Sequence, residues 1–260
     1  MGADEHTRPA FSFDAVIFEP SIRHLIAAAR PHPGESVLDV ACGSGIAACK
    51  AGMMVGAHGR VCGVDIGPNI LKKAATLYIG DAPAAWVRAD MAALPFADGA
   101  FRLVLCHQGL QFAADREAVV RELRRVTARG GRAVVMCWSH IADCPFYLAL
   151  RDVLNRHLGA AAAGFVAAPF SLPEEQDLHD LLGAAFPRVS MSRISVRTAH
   201  PSAGAFAEGF LRYLPPSLAP REACEAARDA IVEEMDRRLE PWQVDGPMIA
   251  PIVTHLAIAG

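Results

Sequence analysis

The stretch Val37-Leu38-Asp39-Val40-Ala41-Cys42-Gly43-Ser44-Gly45 constrains this chain more than any other. A short strand, Ser36 to Val40, must turn at once into a helical run that reaches about Val55. Glycine permits so tight a turn and lets backbone approach a ligand closely. The helix start adds unsatisfied N–H groups that suit an anionic group such as a carboxylate. Gly43-Ser44-Gly45-Ile46-Ala47-Ala48 also fits the dinucleotide pattern G-x-G-x-x-A, so a nicotinamide-dependent oxidoreductase stays open on this segment alone.

The turn is the first of a series. Arg60 to Val64 reads as a second strand ending on Asp65, and Pro68 opens a helix through Ile70, Leu71 and Ala74. Ala85 to Arg88 is a third strand, ending near Asp90, and Phe101 to Cys106 a fourth. Asp115 caps a helix that turns Val119, Leu123 and Val126 inward; Gly130-Gly131 ends it, and Arg132 to Trp138 is a fifth strand. Before the series, Ser21 is placed as the cap of a helix carrying Ile22, Leu25, Ile26 and Ala29. After it come helices from Pro145 and from Glu174 to Ala185, a strand from Val189 to His200, helices between 203 and 240 broken at Pro215-Pro216, and a strand from Ile249 to Ile258. Strands alternating with helices specify a parallel sheet covered on both faces. The predicted fold class is α/β: a Rossmann-like, seven-stranded, mostly parallel sheet with helices on both faces and a C-terminal helical cap. Residues 1–200 and 245–260 form the core with an N-terminal helical segment, and 201–244 a helical insertion over the acceptor site.

Composition narrows the partners. The chain has 260 residues and a formal net charge of −3, with acids and bases interspersed. Phosphate recognition needs a positive field, so no nucleic acid is expected. Arg121, Arg124 and Arg125 read as a solvated helix face. Seven cysteines without a C-x-x-C pair, several in apolar runs (Cys62, Cys106, Cys137), read as buried free thiols; no metal site is expected. The acidic N-terminus lacks an apolar stretch and no apolar run is long enough to span a bilayer, so a cytoplasmic protein without a membrane partner is expected.

Three acids give the glycine turn its chemical sense. Asp65, about 20 residues beyond it, can accept both ribose hydroxyls of a nucleoside. Asp39 lies just before the turn, where a dinucleotide would place its pyrophosphate and be repelled. A methionine moiety, with its ammonium and sulfonium, would instead be attracted. Asp90, after the third strand, can accept from an adenine amino group.

On these segments, together with Asp90 to Phe96, Phe101 to Phe112 and Arg125 to Gly131, the chain resembles class I S-adenosylmethionine-dependent methyltransferases. Leu94-Pro95-Phe96 and Gly109-Leu110-Gln111-Phe112 are similar to the subgroup of quinone C-methyltransferases and bacterial natural-product methyltransferases. The resemblance implies S-adenosylmethionine as cofactor. The turn around Ala41, Gly43 and Gly45 would hold its methionine part, Asp65 its ribose and Asp90 its adenine amine, with Ile66 and Met91 flanking the ring. The backbone at Cys106 and His107 would line the methionine end, and Phe18 would close over it. Many members carry glycine where this chain has Ala41, so a differently seated turn is expected; a tyrosine is common near Phe18, whose hydroxyl is missing here.

The resemblance makes methyl transfer to a small, hydrophobic O, C or N acceptor the expected activity, by in-line displacement, with S-adenosylhomocysteine as product. A cofactor-binding protein of the same fold without methyl transfer, such as a sensor, scaffold or cyclase, is the alternative. His107 is the first candidate for a catalytic base and His140, backed by Asp143, the second; Gln108 and Gln111 could orient the acceptor. Phe206, Phe210, Leu211, Tyr213 and Leu214 are placed as an apolar lid. A homodimer is compatible with the sequence.

Overall fold

The computed structural model describes residues 13–243 and 246–260. Its strands are β1 (Ser36–Val40), β2 (Arg60–Asp65), β3 (Ala84–Arg88), β4 (Phe101–His107), β5 (Thr127–Trp138), β6 (Val189–His200) and β7 (Met248–Ala259). They form one sheet in the order β3-β2-β1-β4-β5-β7-β6. β7 runs antiparallel to both its neighbours, and the other pairs are parallel. Chain direction across the sheet reverses between β1 and β4, which opens a crevice at their carboxyl ends.

Alternation along the central strands sends side chains to two cores. Val37, Leu103, Leu105, Val134 and Met136 pack against Ile22, Leu25, Ile26 and Ala29 of α1 (Phe13–Ala29) and Ala47, Ala48, Ala51 and Val55 of α2 (Ile46–Val55). Leu38, Val40, Val104, Cys106, Val135 and Cys137 face the other way. They meet Val119, Leu123 and Val126 of α4 (Arg116–Val126) and Leu178 and Leu182 of α7 (Glu175–Gly183). Between them in sequence, α3 (Pro68–Leu77) starts on a proline whose missing N–H costs the first turn nothing. All seven cysteines are free, and five are buried.

A third core lies beyond β5. Trp138, Phe146, Leu150 and Val153 join residues of α6 (Ala160–Ala167), α8 (Ala203–Leu211) and α9 (Arg221–Leu239) around α5 (Pro145–Leu158). The alanine-rich tract thus forms a packed helix.

Three local expectations are corrected. Ser21 does not begin a helix: α1 starts at Phe13 and carries Pro20 within it, and the Ser21 hydroxyl donates back to Phe18 O at 2.9 Å. Gly130-Gly131 do not end α4. The helix stops at Val126, and Thr127 already pairs with Phe101 across the sheet. The next pair, Leu103 with Arg132, leaves a bulge in which Gly130 takes a φ of 69°. Arg125 is not a solvated charge. It donates to Leu94 O at 2.9 Å and Phe96 O at 2.6 Å, and it is paired with Glu122 and Asp98. It thereby ties the 94–98 loop, downstream of Asp90, to α4. Among the described residues no helix is long and apolar enough to cross a membrane, and no cluster of side chains could hold a metal ion.

Candidate active site

At the crevice, Asp39 points from β1 toward α2 and is 1 % exposed. Its Oδ2 accepts the Ala48 amide of α2 at 2.9 Å. Burial, with Asp65 nearby adding repulsion, pushes its carboxyl up to about 7 although the Ala48 hydrogen bond opposes this. A carboxylate held in so dry a place favours a cationic neighbour.

Asp65, at the end of β2, organises the turn. Its Oδ2 accepts the Gly43 amide at 3.0 Å and its Oδ1 the Gly67 amide at 2.9 Å. Each oxygen retains a lone pair for a further donor. Asp90, beyond β3, accepts the Ala92 amide at 2.9 Å and is otherwise exposed. Gly45 sits where a Cβ would lie 2.7 Å from the Trp86 ring, so only glycine lets α2 begin so close to β3.

Two cavities open beside these acids. The larger, about 590 Å³, is lined by Asp65, Ile66, Asp90, Met91, Gly109 and Phe112 among others. The smaller, about 230 Å³, is lined by Phe18, Asp39, Gly43, Ser44, Ile70 and His107 among others. Ala41 and Gln108 border both, so the two are lobes of one cleft. These two residues are also the non-glycine positions there with left-handed backbone, φ 54° and 56°. The turn therefore adopts the conformation expected of glycine despite the Ala41 side chain, at a cost of about 1–2 kcal/mol. Among the described residues no lysine or arginine lines either lobe. A pyrophosphate would meet only acids, so the dinucleotide reading left open by Gly43-Ser44-Gly45 does not fit this cleft.

His107 closes β4 at the inner end. Its register with Met136 of β5, and the Gln108 amide donating to Met136 O at 2.8 Å, fix the backbone. Its Nε2 lies 2.8 Å from Ser21 Oγ, and Phe18 stands edge-on to the imidazole at 5.7 Å. Burial lowers its pKa to about 3. Burial thus favours the neutral imidazole at physiological pH. Behind Phe18, Trp138, Tyr147 and Phe170 form an aromatic cluster buried in the third core, with Trp138 5.0 Å from Tyr147 and 5.1 Å from Phe170.

Residues 38–135, which carry every acid of the cleft, match the family described as a methyltransferase domain. This chain carries a class I S-adenosylmethionine-dependent methyltransferase domain. It is 34% identical over 120 residues to a ubiquinone/menaquinone biosynthesis C-methyltransferase of Shewanella frigidimarina, covering 45% of this chain and 48% of the relative. It is 35% identical over 107 residues to a 2-phytyl-1,4-naphtoquinone methyltransferase of Trichormus variabilis, covering 40% and 47%. The match thus spans about half the length of these curated relatives. The fold is similar to that of the YcgJ protein from Bacillus subtilis, with a TM-score of 0.59 at 16% identity, covering 92% of this chain and 96% of that one.

The cleft gathers most of the residues singled out from sequence: Phe18 from α1, and Asp39, Ala41, Gly43, Asp65, Ile66, Asp90, Met91 and His107 from the methyltransferase domain. Gly45 does not line it and supports the turn from behind, against Trp86. The Cys106 side chain is buried in the core on the α4 side, which leaves its backbone as the part expected at the methionine end. His140 is not at the cleft either. A 3₁₀ turn after β5 (Ile141–Asp143) carries it outward, half-exposed, to an ion-pair distance of 3.0 Å from Glu174. Asp143 accepts from Ser139 and from Arg193 instead of backing His140. Gln111 is buried and donates to Gln108 Oε1 at 2.9 Å, so it orients Gln108.

The lid residues are placed differently from the sequence expectation. Phe206, Phe210 and Leu214 are buried in the third core, where Phe206 stacks on Phe146 at 5.3 Å, and none of them lines either lobe. Sequence reading missed two residues that matter at the cleft, Phe112 and Ser21. Phe112, 56% exposed, forms an apolar lip of the larger lobe together with Ile66, suited to a planar base. Phe112 could have been suspected as a lone aromatic after the Gly109 turn. Ser21, which touches His107 from α1, left no signal, because the contact joins positions far apart in the chain.

Proposed function

We propose that this protein transfers the methyl group of S-adenosylmethionine to a small, apolar, ring-bearing acceptor and releases S-adenosylhomocysteine. The observation that carries the proposal is the two-lobed cleft lined by Asp39, Asp65 and Asp90 and, among the described residues, by no lysine or arginine. The cofactor presents donors and positive charge in the matching order: ammonium, ribose hydroxyls, adenine amine. Asp39 would face the ammonium, Asp65 the ribose and Asp90 the amine, with Ile66, Met91 and Phe112 around the base. When bound, the cofactor supplies an electrophilic methyl group on a sulfonium.

What this chain adds is alignment, dryness and a place for a proton. Phe18 stands edge-on to His107 and gives the smaller lobe an apolar side that an apolar ring can meet. His107 is neutral and can accept a proton. Its weak basicity suffices, because an acceptor atom that has just gained a methyl group is a far stronger acid than before. The quinone methyltransferases among the relatives favour a hydroquinone or phenol as the acceptor class.

The test pairs calorimetric binding of S-adenosylhomocysteine with a turnover assay using S-adenosylmethionine and a panel of hydroquinones and phenols. Micromolar binding and formation of a methylated ring are expected. Absence of binding at millimolar ligand rejects the cofactor assignment. Binding without turnover across the panel rejects the acceptor class.

A further inference from the structure

Ser21 is 3 % exposed and reaches His107 from a different element, α1, across the inner end of the cleft. Its hydroxyl oxygen has two close polar neighbours: Phe18 O at 2.9 Å, one turn back in the same helix, and His107 Nε2 at 2.8 Å. A hydroxyl carries a single proton. If that proton went to His107, the Ser21 and Phe18 oxygens would face each other at hydrogen-bond distance with no hydrogen between them. If it goes to Phe18 O, the Ser21 oxygen is left with lone pairs directed at Nε2, and the ring nitrogen must bring the proton. Only the second arrangement satisfies all three atoms, so Nε2 carries the hydrogen and Nδ1 carries the lone pair. With burial holding the imidazole neutral, nothing in this range of pH adds a second proton.

The ring is held in other ways too. Phe18 meets it edge-on. α1 is fastened over α2 by Glu19, which pairs with Lys50 at 3.2 Å while also pairing with Arg23 at 3.0 Å. None of these contacts distinguishes one imidazole tautomer from the other. The Ser21 hydroxyl does.

We propose that Ser21 is a positioning residue that fixes His107 in its Nε2–H tautomer, so that Nδ1 is the atom receiving the proton released by the acceptor. The proposal rests on the reading of His107 given under the proposed function. In the step, a lone pair or π pair of the acceptor forms the bond to the methyl carbon, and the carbon–sulfur bond breaks with its electrons going to sulfur. The acceptor's O–H or ring C–H proton passes to Nδ1, and the resulting imidazolium loses it to water once the product has left. The methyl donor and acceptor account for every atom, and no further reagent is required.

The test reads the tautomer directly, by ¹⁵N NMR of histidine-labelled protein with S-adenosylhomocysteine present and His107 assigned through His107→Gln. The wild type is expected to show a protonated Nε2 and an unprotonated Nδ1 from pH 5 to pH 8. Ser21→Ala is expected to lose this pattern and give mixed tautomers, whereas Ser21→Thr, which restores a hydroxyl, keeps it. An Nδ1–H tautomer in the wild type overturns the proposal, and so does a wild-type pattern in a folded Ser21→Ala protein. Loss of the base role of His107 would be seen separately, as unchanged kcat in His107→Gln, whatever the tautomer spectra show.

Discussion

Asp65 Oδ2 accepts the backbone amide of Gly43 at 3.0 Å, so the carboxylate ending β2 holds the turn that follows β1. The same group accepts the Gly67 amide through Oδ1, which leaves one lone pair on each oxygen for ribose. Removing it should loosen the turn and delete two hydrogen bonds to a charged acceptor, each on the order of 1.5–3 kcal/mol. Asp65→Ala is therefore expected to weaken S-adenosylhomocysteine binding by at least a hundredfold in calorimetry, with circular dichroism unchanged. Asp65→Asn keeps one acceptor oxygen and should fall between. Wild-type affinity in a folded Asp65→Ala protein would place the ribose elsewhere.

Asp39 gives the binding a pH dependence. Its carboxyl, raised to about 7 chiefly by burial, is partly protonated at neutrality in the free protein. A cationic ammonium binds the ionised form, so binding below pH 7 must release a proton. Affinity for S-adenosylhomocysteine should fall as pH drops from 8 to 5.5, approaching tenfold per unit, and calorimetry in buffers of different ionisation heat should count close to one proton released at pH 6. For stability the sign is reversed. The folded pKa lies above the unfolded one, so the unpaired carboxylate costs the apoprotein stability increasingly as pH rises from about 4 through 7. Asp39→Asn should accordingly raise the apoprotein's Tm at pH 8 while abolishing the pH dependence of the remaining binding.

Ala41 and Gly109 form a pair that can be tested as a cycle. A Cβ added at Gly109 would lie 2.6 Å from the Ala41 Cβ, closer than any real pair, and 3.1 Å from Cys106 Sγ. Gly109→Ala alone should therefore destabilise the protein by about 1–3 kcal/mol. Ala41→Gly alone relieves a left-handed alanine and should be neutral or stabilising by up to about 1 kcal/mol. In the double variant the clash with Ala41 is gone and only the tighter contact with Cys106 Sγ remains, so its stability should exceed the sum of the single effects by at least 1 kcal/mol in denaturant melts. Strict additivity would mean that the two residues do not meet.

The acids were legible in the sequence because each lies at or just past the carboxyl end of a strand, and strands in this architecture end at the crevice. Asp39, Asp65 and Asp90 needed only the strand boundaries to be placed. His107 and His140 looked equivalent by the same rule, each following a strand. What separates them is the path of the next few residues: the Gln108 amide holds His107 against β5, whereas a 3₁₀ turn swings His140 to Glu174. Ser21 read as a helix cap because a serine preceding an apolar periodic run has that signature. The helix instead passes through Pro20, and the partner of the hydroxyl lies across the fold. The apolar residues of α8 were visible as a face, but periodicity does not say whether that face meets a ligand, a sheet or another helix.

His107 makes a kinetic prediction that its low pKa changes in form. A base contributes about 10²–10⁴-fold, so His107→Ala should lower kcat by at least tenfold with cofactor affinity altered much less. With the imidazole near 3, kcat should show no inflection from His107 between pH 5 and pH 8. Steady-state kinetics across that range on any acceptor turned over in the panel would check it. A bell or shoulder near pH 6.5 that vanishes in His107→Gln would mean the ring is not buried during turnover.

Phe206 separates a lid from a core. It is 1 % exposed, stacks on Phe146 at 5.3 Å and meets Tyr147 edge-on at 5.2 Å and His200 at 5.0 Å. A lid residue removed from over an acceptor would change KM for that acceptor and leave stability nearly untouched. A core residue of this size replaced by alanine leaves a cavity and costs about 3–5 kcal/mol. The cleft's two lobes are lined by residues outside this third core, apart from Phe18, which packs at its border. Phe206→Ala should therefore lower the midpoint of urea unfolding substantially, while the surviving folded protein binds S-adenosylhomocysteine within about twofold of wild type. Phe206→Leu, which refills most of the volume, should recover over half of the lost stability. An unshifted urea midpoint together with a raised acceptor KM would return α8 to the role of a lid, because only a side chain facing the acceptor could alter binding without contributing to the packing that holds α5, α8 and β6 together.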